Sequence, residues 1–306
     1  MKIAIQHLYR PSHEGDGLLY AWFSSMHTRV DILLYSQKPE EELKAGDMVF
    51  FQRRDEAYVM HRIHHINKEG KLFIIGDAQV DMEGPIDKEQ GVINRTASIC
   101  PVILSRQLYT MIDLCMEYHG KTSGCFDVTV HSENYNPDTI HSVYLSAEER
   151  SIFFQQPGIT INLSGFLKGY ALETVRAILN TCCIENALIN MGNSSVLALG
   201  DHPAGTGWKV NFGNRLETDK IGMKQSVLLC NECLTTSGNE SDGRKHIISP
   251  HDASFVEGIK QIAVVTKNGA VGEILSTALF AASPEQREAL LVNLRPLLID
   301  YFLIGY

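Results

Sequence analysis

Three stretches of this 306-residue chain place oxygen, nitrogen and glycine where chemistry can be done. In Ile159-Thr-Ile-Asn-Leu-Ser-Gly-Phe-Leu-Lys-Gly-Tyr170 a strand-like run ends in small residues and opens a helix. Backbone N–H groups are left without helical partners there, and Lys168 adds a point charge one turn in. Such a junction is either an anion site or a plain turn with a solvated lysine. Thr235-Thr-Ser-Gly-Asn239 precedes Gly243-Arg-Lys-His-Ile-Ile-Ser-Pro250, so hydroxyls and a glycine turn stand near His246, which begins an apolar strand out of a polar loop. A histidine so placed is either a structural group or a base that titrates near neutrality. In Gly272-Glu273-Ile-Leu-Ser-Thr277, two oxygen-bearing side chains lie four apart on one helical face. They can share a hard cation such as Mg²⁺. The competing reading, which spacing alone favours, is a carboxylate drawn to the positive end of a helix.

The elements that must position these groups follow from apolar periodicity. Strands are expected over residues 29–35, 48–51, 58–60, 71–75, 151–154, 159–163, 187–190, 196–199, 208–212 and 262–266. Leu104, Leu108, Met111, Ile112 and Cys115 share one face of a helix over 104–118, and Leu167, Ala171, Val175 and Ile178 do so over 165–179. A further helix is expected from Gly272 to Ala282, and Ser283-Pro284 is a strong helix start. Leu297–Ile304 closes the chain as a buried strand. Strands and helices mix irregularly without an internal repeat, which predicts an α+β fold with mixed sheets and packed helices.

Composition narrows the function classes. With 44% hydrophobic and 21% charged residues the chain is globular rather than disordered. Its 27 Lys and Arg against 36 Asp and Glu give a formal charge of −9 with no basic block, which argues against nucleic acid as a partner. No apolar run reaches the ~18 residues of a transmembrane segment. The first residues lack the apolar core of a signal peptide, so a cytoplasmic location is the expectation. Seven scattered cysteines do not describe a disulfide framework. Cys230-Asn-Glu-Cys233 is a lone C-x-x-C, short of the four ligands of a zinc site, and Cys182-Cys183 is read as two small apolar residues behind a helix.

Taken in order, these pieces resemble the ApbE-like family of FAD:protein FMN transferases. Asn162–Tyr170 is similar to the family's D-[LI]-[SG]-[GA]-[IL]-[AS]-K-G-Y element, and Gly124-Cys-Phe-Asp127-Val-Thr129 to its G-[AC]-F-D-[PV]-T. Thr236-Ser237-Gly238 and His246-Ile-Ile-Ser-Pro250 answer its T-S-G turn and H-I-[IL]-D-P. Val271-Gly-Glu273-Ile-Leu-Ser-Thr277-Ala-Leu answers its A-D-A-L-[SA]-T-A-L helix, and Met26-His-Thr28 its M-G-T. The resemblance implies Mg²⁺-dependent transfer of FMN from FAD to a Thr or Ser hydroxyl of a flavin-accepting protein, with release of AMP. It implies a metal held by Glu273, Thr277 and the Gly165 carbonyl, and His246 as general base. Met26, Asn162, Lys168, Met191, Gly192, Thr236, Ser237 and Gly238 would line the FAD site. Many members of the family are exported.

Several positions depart from the family pattern. Its metal aspartate is Glu273 here, the aspartate beside the base is Ser249, the leading Asp is Asn162, and its G-G-[DN] reads Gly192-Asn193-Ser194-Ser195. These changes favour, as an alternative, an FAD-binding protein with reduced or lost transfer. Domain organisation is expected as residues 1–44 joining the main body, a divergent β-rich segment over 45–92, and an FAD-binding body over 93–306. Residues 43–92 locally resemble signal-peptidase-like serine peptidases, with Ser25, His61 and Asp77 as the groups a peptidase activity would need. Cys125 and Phe126 are read as core.

Overall fold

A computed structural model describes residues 18–25, 28–35, 48–52, 58–66 and 72–75, and 85–305 apart from 193, 203, 213–224, 240–244 and 259, with side chains from Glu89 onward. The elements in chain order begin with β1 (Leu18–Ser25), β2 (Thr28–Tyr35), β3 (Met48–Gln52), β4 (Tyr58–Ile66) and β5 (Leu72–Ile75). Then come α1 (Pro85–Thr96), β6 (Val102–Ile103), α2 (Arg106–Lys121), β7 (Val143–Ser146), β8 (Ser151–Phe154) and α3 (Ser164–Thr181). β9 (Asn186–Met191), β10 (Ser195–Leu199), β11 (Trp208–Phe212), β12 (Gln225–Leu229), β13 (Glu232–Gly238) and β14 (Gln261–Thr266) follow. The chain closes through α4 (Gly269–Ala281), α5 (Pro284–Asn293) and β15 (Asp300–Ile304).

A seven-stranded sheet in the order β1-β2-β9-β10-β13-β14-β15 is the spine, and every pairing in it is antiparallel. Three smaller sheets, β3-β4-β5, β6-β8-β7 and β11-β12, are hydrogen-bonded separately from it. The central strands are covered on both faces, so they are apolar at successive positions rather than at alternate ones. Leu197 and Leu199 of β10 pack with Leu172 of α3, while Val196 and Ala198 face the other way against Trp208 and Leu229 of the β11–β12 ribbon. β14 divides in the same manner: Ile262 and Val264 join the core under α4, and Ala263 and Val265 join the ribbon side. Mixed helices and sheets in this arrangement are an α+β fold.

Close approach of α3 and α4 fixes the centre of the helical layer. A Cβ placed on Gly169 would lie 2.1 Å from the Gly269 carbonyl oxygen, and one on Gly272 would lie 2.7 Å from Thr235 Oγ1. Glycine at both points lets the two helices meet and lets α4 sit down on β13. Asn268 caps α4, accepting from Val271 N at 3.0 Å. A capping box, with Ser283 and Gln286 reciprocally bonded, starts α5 as its sequence indicates.

Four local expectations need correction. Ile159–Leu163 is not a strand, although Ile159, Ile161 and Leu163 are buried at alternate positions. Its backbone is satisfied by side chains instead: Asn94 bonds both the N–H and the carbonyl of Ile161, and Ser132 Oγ accepts from Thr160 N. Thr236-Ser-Gly238 is the end of strand β13 rather than a turn. The final strand begins at Asp300 rather than 297 and lies at a sheet edge, with Tyr301 and Leu303 partly exposed. Cys182 and Cys183 close α3 in exposed positions, Cys183 at φ 56°, so neither is a buried apolar group.

Candidate active site

α4 begins three residues earlier than its sequence pattern suggests, and this decides the first question at the site. Glu273 lies beyond the first turn and is 3% exposed, so a surface carboxylate favoured by the helix terminus does not describe it. Ser195, at the start of β10 and wholly buried, donates a hydrogen bond from Oγ to Glu273 Oε1. Burial pushes the Glu273 carboxyl above its ordinary range, while the Lys168 charge and the Ser195 hydroxyl act against that shift. Lys168 Nζ, one turn into α3, donates to Ser194 Oγ, and Ser194 Oγ lies 3.4 Å from Ser195 Oγ.

The remaining walls come from three further elements. β13 runs past the point where β10 begins, so Thr236, Ser237 and Gly238 border an opening, with Thr236 N donating to Ser194 O at 2.7 Å. Ser237 Oγ lies 2.9 Å from Ser276 Oγ and 3.2 Å from Thr277 Oγ1, linking strand and helix. Just before α3, Asn162 Oδ1 accepts from the N–H of Ser164, the first residue of the helix, at 2.9 Å. A Cβ on Gly165 would meet only Thr277 Oγ1, at 4.0 Å, so the first turn of α3 faces that hydroxyl across open space. His246 is exposed and sits in an irregular segment rather than a strand; Ile247 O accepts from Val256 N, and Ser249 N donates to Ser254 O.

Asp127 forms a further part of the wall. Its Oδ1 accepts from Thr129 N at 2.7 Å and Thr129 Oγ1 at 2.6 Å, and Oδ2 from Tyr135 Oη at 3.0 Å. Tyr135 Oη also lies 3.1 Å from Pro250 O, which ties the segment carrying His246 to this turn. Burial and the Asp127 charge together push the Tyr135 phenol up, so it remains a donor.

These walls enclose a cavity of about 470 Å³ that takes in Asn162, Gly165, Lys168, Gly192, Thr236, Ser237, Gly238, His246, Glu273 and Thr277. Positions as far apart in sequence as Asn162 and Thr277 thus share one space of the size that holds small ligands. Met191 is not among the lining residues; its side chain packs with the core of Leu172, Ile189 and Leu197. Met26 lies outside the described residues, as does Asp77, while Ser25 and His61 are described only as backbone in β1 and β4. Sequence reasoning about the site passed over Asp127, His131, Ser194 and Ser195, although Asp127 sits inside a motif that the chain displays plainly. Cys125 and Phe126 are core residues whose edges also reach the cavity.

A hard cation fits the donors present: a buried carboxylate, the Thr277 hydroxyl and the Gly165 carbonyl are all oxygen groups. Among the described residues no three His, Cys, Asp or Glu side chains converge. The C-x-x-C does not serve this purpose. Cys233, near the start of β13 and outside the cavity lining, is buried against Glu173 and Arg176, and burial pushes its thiol up to about 12.

Fold and cavity together define an α+β protein with a polar cavity between a helix start and a sheet end. Residues 26–299 match the family model described as "ApbE family", and the chain belongs to that family. A FAD:protein FMN transferase of Rhodobacter capsulatus is 32% identical over 136 residues, covering 42% of this chain and 25% of that protein. One from Klebsiella pneumoniae is 29% identical over 152 residues, covering 47% and 46%. The matched part of the chain thus spans about a quarter to a half of these relatives' length. The flavin transferase ApbE from Vibrio cholerae shares the fold, with a TM-score of 0.64 at 16% identity over 90% of each chain.

Proposed function

We propose that this protein transfers FMN from FAD to a Thr or Ser hydroxyl of an acceptor protein and releases AMP. Convergence of Lys168, Glu273, Thr277 and His246 on one cavity carries the reading. Family membership and the names of the curated relatives support flavin transfer. Lys168 and the start of α3 bind and orient the pyrophosphate of FAD. Gly165 O, the Glu273 carboxylate and Thr277 Oγ1 would hold Mg²⁺, which supplies neutralisation of the charge that builds during phosphoryl transfer. His246 takes the proton of the acceptor hydroxyl as that oxygen bonds to the FMN phosphorus. The bond from that phosphorus to the bridging oxygen breaks, and AMP leaves with the oxygen. Exposure of His246 suits this role, because the acceptor must reach it from outside.

An FAD-binding protein with weakened transfer is the second reading. Ser249 in place of a carboxylate beside His246, and Glu273 in place of the family's metal aspartate, favour it. His246→Ala separates the two. On the transferase reading the substitution removes AMP formation from FAD and Mg²⁺ while FAD fluorescence quenching persists. An unsubstituted protein that retains FAD but forms no AMP supports the binding reading instead.

A further inference from the structure

Glu273 is one methylene longer than the aspartate of the related motif, and the structure accounts for where the added length goes. On one side its stem is confined by α3: a Cβ on Gly169 would lie 2.6 Å from Glu273 Cγ. Its head is received on the other side by Ser195 Oγ, across 78 residues of sequence. Ser195 stands opposite Met191 on β9 and Thr235 on β13, so the sheet register fixes the hydroxyl in place. Beside it, Ser194 accepts from Lys168 Nζ. Two adjacent hydroxyls therefore stand between an ammonium and a carboxylate whose charges act on each other. A direct Lys168–Glu273 pair would spend both groups on each other, leaving neither for a phosphate or a cation.

We propose that Ser195 is a positioning residue that holds the long Glu273 carboxylate for cation binding and keeps it from pairing with Lys168. The inference rests on the metal-dependent reading above. It is tested with Mn²⁺ as the probe, by electron paramagnetic resonance titration of the full chain in the presence of FAD, with FAD affinity measured separately in chelator. Ser195→Ala should weaken Mn²⁺ binding about 10- to 100-fold, as loss of a hydrogen bond that orients a ligand does, and leave metal-free FAD binding within about 2-fold. A Glu273→Asp chain, whose shorter carboxylate cannot ligate and reach Ser195 together, should show no further change when Ser195→Ala is added. Unchanged Mn²⁺ affinity in folded Ser195→Ala protein overturns the proposal, as does an equal loss in the Glu273→Asp background. Failure of the unsubstituted protein to bind Mn²⁺ overturns the metal reading itself, and the role of Ser195 with it.

Discussion

Gly169→Ala tests the packing that brings the two site helices together. The added Cβ would stand 2.1 Å from Gly269 O, 2.5 Å from Gly269 C and 2.6 Å from Glu273 Cγ. Measured against the ~3.5 Å at which nonbonded atoms rest, the first contact is short by about 1.4 Å. Two of the three obstacles are backbone atoms, so no rotamer change relieves them, and α3 and α4 must separate. Overpacking of this kind costs about 3 kcal/mol, offset by at most about 1 kcal/mol from replacing a helical glycine. A net loss near 2 kcal/mol lowers Tm by about 4 °C in a chain of this length. Gly165→Ala is the control. Its Cβ meets nothing nearer than 4.0 Å, so helix propensity dominates and Tm should rise by about 1–2 °C. Differential scanning calorimetry distinguishes the pair. A Gly169→Ala protein as stable as the unsubstituted one would refute the argument that this glycine is required by helix contact.

Other perturbations read other parts of the site. With the Glu273 carboxyl held above its ordinary value of 4.5 by burial, the folded protein keeps a proton that the unfolded chain releases. Stability of the metal-free protein therefore falls as pH rises from that value through the folded one, and Glu273→Gln should flatten the dependence and raise Tm at neutral pH; a lower Tm at neutral pH would contradict this. Tyr135→Phe removes the hydroxyl shared by Asp127 and Pro250, and a loss near 1.4 kcal/mol in positioning should cut AMP formation about 10-fold with FAD affinity unchanged. Equal loss of FAD binding would show that the tyrosine supports the cavity as a whole. Ser283→Ala breaks the capping box of α5 and should cost about 1 kcal/mol, roughly 2 °C in Tm, with no effect on FAD binding.

Much of this architecture is legible in the residues because it is local. The helix over Ser164–Thr181, the β-branched β14 and the Ser283-Pro284 start follow from spacing and capping alone. Where the sequence misleads, a tertiary partner has replaced a local one. Ile159–Leu163 alternates as a strand should, but Asn94 and Ser132 satisfy its backbone. His246 precedes an apolar run that forms an irregular turn, because Ser249 and Ile247 bond across it to Ser254 and Val256. Motif order points to the candidate ligands, whereas it does not point to Ser194 and Ser195. Gly192-Asn193-Ser194-Ser195 is visible in the sequence as a departure from a pattern, but the contacts of the two serines appear only when β10 is set beside α3 and α4. Likewise, the early start of α4 depends on the Asn268 cap, and it turns Glu273 from a terminal carboxylate into a buried one.

The central claim is that this cavity performs phosphoryl transfer on FAD. Its most direct test is quantification of AMP after incubating the full chain with FAD and Mg²⁺, with a matched sample in chelator and a Thr- and Ser-containing protein fraction as acceptor. Metal-dependent AMP, accompanied by covalent flavin on protein in equal amount, is the predicted result. Absence of AMP under these conditions, with FAD neither split nor retained, would contradict the account.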